Sequence, residues 1–212
     1  CFLDNHHYQL SPHRYECILA AGVQRSCSAS AGNAFHDLKT FASDQQEWIF
    51  GHFGYDLKNE LEALDSNRPD HLHFPDLFFF IPQTVMILEE TALSIYTVIG
   101  AADELFEEVI SQEIKERQQP VAFNIQSRFS RSEYIDVIGM LKKHILAGDC
   151  YEINFCQEFY QQDAKLNPLD TYQLLTAISP NPFAGFYKLE DKYLLCASPE
   201  RYLWKQDDVI IS

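Results

Sequence analysis

A few short stretches of this 212-residue chain carry side chains suited to acid–base, binding or metal chemistry. Ser198-Pro199-Glu200-Arg201 sits between two apolar runs. Pro199 restricts the backbone of Ser198, so a turn here would hold the Glu200 carboxylate in a fixed place. Read bare, a turn glutamate is what solvent exposure alone would put there. Arg201 reads as a partner for a neighbouring carboxylate and is assigned no role. Glu152 and Asn154 stand two residues apart, which on a strand displays both on one face; the polar outer face of a sheet has the same pattern. His71-Leu72-His73 is a conceivable metal pair, but it lies in a polar loop without a third ligand, and real sites need three or four. No glycine-rich phosphate loop, serine nucleophile elbow or zinc signature is present.

The elements that must position these residues follow from periodicity. Tyr134, Ile138, Leu141, Ile145 and Leu146 recur at helical spacing, Ser130 and Glu133 are spaced as a capping box, and Gly148 falls at the left-handed cap. Beyond Gly148 the period becomes two, predicting a strand with Tyr151, Ile153 and Phe155 on one side and Glu152 and Asn154 on the other. Asn167-Pro168 starts a helix running to Ile178. Residues 184–189, 193–197, 202–205 and 209–212 predict an antiparallel meander, with Glu200 in the turn before its third strand. The sequence stops inside that last strand, so it reads as a fragment.

Upstream, residues 1–3 and 15–20 predict strands around a polar loop, Asp4 to Arg14. Ser26 to Gly32 reads as a loop, and Asn33 as the cap of a short helix ending at Phe41. Residues 48–55 are strand-like, with Gly51 and Gly54 marking a bulge or a close backbone approach. One or two helical turns follow at 57–64, then a polar loop over 65–73. Leu77 to Leu88 and Leu93 to Ile99 predict a hairpin turning at Glu89-Glu90-Thr91. Asp103 to Arg117 predicts an amphipathic helix with Leu105, Phe106, Val109, Ile110 and Ile114 inward, broken by Pro120. The order is mixed α+β with mostly antiparallel pairing.

Lys and Arg number 16 against 31 Asp and Glu, a formal charge of −15. Nucleic acid and anionic membrane, which need clustered positive charge, are therefore excluded as partners. An anionic substrate would need a metal ion or a local basic cluster. The six cysteines form no Cys-x-x-Cys pair and read as reduced thiols, pointing to a cytoplasmic protein. No signal peptide or transmembrane run is evident, since the apolar stretch 77–88 is short and broken by Pro82.

Gly148-Asp149-Cys150-Tyr151-Glu152-Ile153-Asn154, Asn181-Pro182-Phe183 and Ser198-Pro199-Glu200-Arg201 resemble successive motifs of the chorismate-utilising enzymes, and Phe50-Gly51-His52-Phe53-Gly54-Tyr55-Asp56-Leu57 is similar to an upstream motif of that family. The resemblance covers nearly the whole chain but only about half of the family's usual length. It implies an α+β fold of two antiparallel sheets packed as a sandwich with helices outside, as in anthranilate synthase component I, truncated here. Residues 1–130 would be its N-terminal region and 131–212 the start of the chorismate-binding catalytic region.

The implied activity is Mg2+-dependent amination of chorismate, with ammonia supplied by a glutamine amidotransferase subunit (component II). Glu200 would act in proton transfer. The metal ligands would lie in the family's second half, so residues 1–212 alone are expected to be inactive. The family carries Gln where Glu152 stands, and a carboxylate cannot donate the hydrogen bonds of an amide. A tryptophan pocket would be formed by Asn5, Arg14, Tyr15, Pro182 and Phe183, with Asn5 in place of the family's serine. Residues 53–60 sit closer to the aminodeoxychorismate (folate) branch than to the anthranilate (tryptophan) branch. The alternative from a different class is a non-catalytic ligand-binding or docking module.

Overall fold

The computed structural model describes residues 1–9, 15–43, 47–64, 69–113 and 123–211. Its strands are β1 (Phe2–Asp4), β2 (Cys17–Ala21), β3 (Arg25–Ala29), β4 (Phe50–Phe53), β5 (Leu77–Ile81), β6 (Thr84–Leu88), β7 (Leu93–Thr97), β8 (Gln126–Ser127), β9 (Phe159–Tyr160), β10 (Phe183–Leu189), β11 (Lys192–Ser198), β12 (Trp204–Gln206) and β13 (Val209–Ile211). The helices are α1 (Ala34–Ala42), α2 (Lys58–Leu61), α3 (Ala102–Ser111), α4 (Arg131–Ala147) and α5 (Pro168–Ile178). Two compact units result, residues 1–116 with 168–212, and residues 117–167.

In the first unit a six-stranded antiparallel sheet, ordered β11-β10-β1-β2-β6-β7, faces a three-stranded one, β3-β5-β4. The core between them holds Ala20, Val85, Ile87 and Tyr187 from one sheet against Phe50 and Phe80 from the other. α1 packs outside on the smaller sheet through Ala34, with Leu57 and Leu77. α5 covers the outer face of the larger sheet, its Tyr172 ring 6.3 Å from Phe2 and 5.6 Å from Phe186. This is the expected α+β sandwich. His52 ties the two sheets together. The Pro75 carbonyl can only accept, so Nε2 donates to it at 2.9 Å and Nδ1 accepts the Tyr187 hydroxyl at 3.2 Å. Burial pushes the Tyr187 phenol up to about 12, keeping it a donor.

The sheets share continuous strands. β2 and β3 are joined at Gly22, whose φ is +70°, and β5 and β6 at Pro82-Gln83, so two antiparallel strands cross from one sheet to the other side by side. Ser26 to Gly32 is therefore not the expected loop. Residues 25–29 are a strand, with small Cys27 and Ala29 turned toward the α1 cluster. The expected single arm 77–88 is likewise two strands, and only its second half forms the hairpin with β7. Gly51 is a close approach, since a Cβ there would lie 2.0 Å from the Phe78 carbonyl oxygen.

Asn33 precedes α1 but makes no side-chain cap bond. The Glu60 carboxylate does the capping, accepting the backbone N–H groups of Gly32, Ala34 and Phe35 at 2.9–3.1 Å. Burial alone would raise this carboxyl, but bonds from Gly32, Phe35 and Ala34 outweigh it and hold it below its ordinary 4.5. Its stabilisation is thus present above pH 4.5 and lost as the pH falls through the lower folded-state value. Glu60→Gln is expected to lower Tm at neutral pH, with the gap to wild type closing below pH 4.5. A gap unchanged across thermal scans at both pH values would show that the charge does not hold α1.

α3 corrects a further expectation, because Phe106, Val109 and Ile110 are exposed rather than inward. Ile114, Pro120, Arg14 and Ser212 lie outside the described residues. The last strands also differ from a continuous meander. β10 and β11 pair along their length, whereas β12 and β13 form a separate two-stranded sheet.

The second unit contains α4, with both bonds of the capping box between Ser130 and Glu133 and Gly148 left-handed at φ 84°. The strand expected over 151–155 is not formed. Tyr151, Glu152, Ile153 and Asn154 are all exposed, and pairing begins at β9, against β8. No neighbouring strand among the described residues offers the 151–155 backbone a partner, so alternation alone did not make a strand. Phe155 instead tucks against Phe129 and Tyr134, with ring centroids 5.5 Å away.

Candidate functional site

The sheet register builds a cleft at one end of the six-stranded sheet. Asp4 lies opposite Cys17 on one side and Ala184 on the other, so the next residue, Asn5, falls between Glu16 and Phe183. The Asn5 N–H continues the ladder to the Glu16 carbonyl at 3.0 Å. Phe183 in turn pairs with Ser198. Residues from widely separated parts of the sequence thus stand in one row across four strands, on the face that turns toward the smaller sheet. The cleft, of about 930 Å³, opens above that row.

Asn5, Tyr15, Pro182 and Phe183 all line this cleft, and Glu200 lines it too. The residues expected for proton transfer and for a tryptophan pocket therefore line one cavity. Arg14 lies outside the described residues. Glu152 and Asn154 are exposed in the other unit. His71 and His73 are exposed in a loop organised by Asp70, which accepts the Leu72 and His73 N–H groups.

Local chemistry fixes each wall. The Asn5 side chain donates to the Tyr15 carbonyl at 2.9 Å and accepts the His7 N–H at 2.7 Å, folding the loop that carries His6 and His7 at positive φ. The Tyr8 hydroxyl donates to the Pro180 carbonyl at 3.2 Å, joining this loop to the turn before Phe183. Tyr15 meets Trp48 edge-on at 6.0 Å, and Trp48 stacks on Phe50. Opposite, the Ser198 hydroxyl donates to the Glu200 carbonyl at 2.9 Å and accepts the Glu200 N–H at 3.3 Å. The Arg201 guanidinium lies 5.2 Å over the Phe183 ring and 5.9 Å from that of Trp204.

Among the described lining residues, Asp4, Glu16 and Glu200 are the acids and Arg201 the one cation. Burial first, then Asp4 and Glu16, push the Cys17 thiol up, so it stays protonated on the α5 side of the sheet. The Tyr172 phenol beneath Asp4 is pushed up to about 12 by burial, with Asp4, Cys196 and Cys17 adding to it. By register the Asp4 and Cys17 side chains share the α5 face with Phe2, so the charged side chains on the cleft face are Glu16, which His7 meets at 3.1 Å, Glu200 and Arg201, with aromatic rings between. Such a lining suits a flat ring bearing an amino group and a carboxylate. Glu16, Trp48 and Trp204 were not singled out from sequence, and Arg201, expected to pair with a neighbouring carboxylate, lies over two aromatic rings instead. Their signal is the register that brings Glu16 beside Asn5, and it exists only once strands are paired.

Residues 6–212 match the family described as chorismate binding enzyme. The chain belongs to that family. Among its relatives, anthranilate synthase component 1 of Pseudomonas putida is 26% identical over 184 residues, covering 76% of this chain and 37% of the relative. Aminodeoxychorismate synthase component 1 of Bacillus subtilis is 20% identical over 182 residues, covering 79% and 38%. The fold matches the crystal structure of anthranilate synthase component I from Streptococcus pneumoniae, with a TM-score of 0.75 at 17% identity, over 96% of this chain and 54% of that one. The family member described here therefore spans just over a third of the length of these curated relatives.

Among the described residues, no group of three or more His, Cys, Asp or Glu is arranged to hold a metal ion. Mg2+ prefers an octahedral set of oxygens. The described part of this family member does not supply one, and no step through Mg2+ is derived from it. Among the same residues no helix is long and apolar enough to cross a membrane.

Proposed function

We propose that the complete protein aminates chorismate to 4-amino-4-deoxychorismate, with Glu200 as its proton-transfer group. The observation that carries this reading is the position of Glu200, a carboxylate lining a large cleft on a turn bonded through its own backbone. In the reaction, a C–N bond to ammonia forms as the ring C–O bond breaks and the hydroxyl departs as water. Glu200 serves as general acid to the leaving hydroxyl or as base to the incoming ammonium. Chorismate is a dicarboxylate, and Glu16 and Glu200 would repel it, so its carboxylates would need Mg2+ held by residues outside those described. A glutamine amidotransferase subunit supplies the ammonia. Anthranilate is the second product considered, favoured by relatives of that name at 23–28% identity against 20% for the aminodeoxychorismate relative. Incubation of the complete protein with chorismate, Mg2+ and ammonium, followed by product analysis, separates the two. Aminodeoxychorismate is expected, with glutamine replacing ammonium only when the partner subunit is added. Fluorescent anthranilate would overturn the branch assignment, and absence of any product would favour the non-catalytic module.

The same cleft is proposed to hold an aromatic amino acid, tryptophan by resemblance. Phe183, Trp48 and Trp204 would enclose the indole, with Glu16 facing the ammonium and Arg201 the carboxylate. Because both ends of the Asn5 amide bond the protein's own backbone, Asn5 shapes the loop rather than gripping the ligand. Calorimetric titration of tryptophan into the complete protein is expected to give saturable binding that Phe183→Ala weakens. No heat of binding would remove tryptophan as a ligand of this cleft.

A further inference from the structure

We propose that Arg201 is a positioning residue for Glu200, acting by clamping the turn that carries it onto the six-stranded sheet. The inference rests on the reading of Glu200 as the proton-transfer group. The upstream side of the turn is already fixed, because Ser198 ends β11 opposite Phe183 and its hydroxyl bonds the Glu200 backbone twice. Among the described residues the downstream side has no such tie. β12 and β13 pair with each other in a sheet of their own, so no ladder joins them to β11. Burial does not anchor this side either, since Tyr202 is 87% exposed and Leu203 54%.

Arg201 bridges that gap. Its guanidinium reaches the Phe183 ring, on β10, and the Trp204 ring, which opens β12. A planar, permanently charged guanidinium can stack flat on an aromatic face, which a lysine ammonium cannot. One side chain therefore ties the separate hairpin to the sheet at the residue next to Glu200. A proton-transfer group must stay within hydrogen-bond reach of its target, and an exposed glutamate on a turn held at one end would not.

The test is a double-mutant cycle in the complete protein, with chorismate, Mg2+ and ammonium as substrates. Arg201→Ala is expected to lower kcat by about 10–100-fold with KM little changed, since misplacement by about 1 Å costs on that order. Arg201→Lys, which keeps the charge and loses the plane, is expected to recover little of it. In a Glu200→Gln background the Arg201→Ala change is expected to have no further effect on kcat. A general structural defect would lower kcat equally in both backgrounds, and that result overturns the proposal. A rise in KM alone, restored by Arg201→Lys, also overturns it and makes Arg201 a substrate-binding charge. If Glu200→Gln lowers kcat while Arg201→Ala does not, only the positioning role falls. If Glu200→Gln leaves kcat unchanged, the reading of Glu200 falls and takes this inference with it.

Discussion

Glu200→Gln is expected to lower kcat of the complete protein by about 10²–10⁴, the range for loss of a general acid or base. That corresponds to about 3–5 kcal/mol of transition-state stabilisation. The amide keeps the size and shape of the carboxylate but cannot exchange a proton. Stability should change little, because the bonds that form the turn use the Glu200 backbone and the Ser198 hydroxyl. The glutamate side chain itself is exposed in the cleft. Steady-state kinetics beside a thermal melt separate the two effects. An unchanged kcat would return Glu200 to a solvated turn residue, and a collapsed melt would make it a structural one.

Gly51→Ala is expected to destabilise the first unit by about 3 kcal/mol or more, at the upper end for overpacking. In β4, Gly51 pairs with Phe79, and an added Cβ would meet the Phe78 carbonyl oxygen at 2.0 Å and the Phe79 Cα at 2.7 Å. Both are backbone atoms of a strand gripped by β3 on its other edge, so neither can swing away as a side chain would. Gly139→Ala in α4 is the control, because a Cβ there meets nothing within 4 Å. It should stabilise by about 0.5–1 kcal/mol through the usual advantage of alanine in a helix. Denaturant unfolding of both variants decides the matter, and a Gly51→Ala protein as stable as wild type would mean that β4 and β5 are not tightly apposed.

How legible these features were depends on the range of the interaction. α4 was readable because Ser130, Glu133 and Gly148 act within a few residues of one another, and the structure has both capping bonds and the left-handed glycine. The close approach at Gly51 was readable because a glycine in a bulky strand already implies crowding. β3 was not, since Arg25 to Ala29 consists largely of small residues without apolar contrast. Asn33 has the right type for a cap, yet Glu60 takes the N–H groups of α1 from another helix, and no local pattern encodes that. The opposite failure occurred at residues 151–155, where the alternation of a strand is present but no partner strand is among the described residues. At the cleft, motif resemblance grouped Asn5, Tyr15, Pro182 and Phe183 in one pocket and named Glu200 apart from them. Their shared wall, and the inclusion of Glu16, Trp48 and Arg201, follow from β1 lying between β2 and β10.

The most direct test of the central claim is the fate of nitrogen-15 ammonium given to the complete protein with chorismate and Mg2+, followed by heteronuclear NMR in wild type and Glu200→Gln side by side. The account predicts that wild type places nitrogen-15 on the ring carbon that had carried the hydroxyl, and that the variant does so about 10²–10⁴ times more slowly. Equal rates of incorporation in the two proteins, or chorismate left unaminated by wild type, would contradict it.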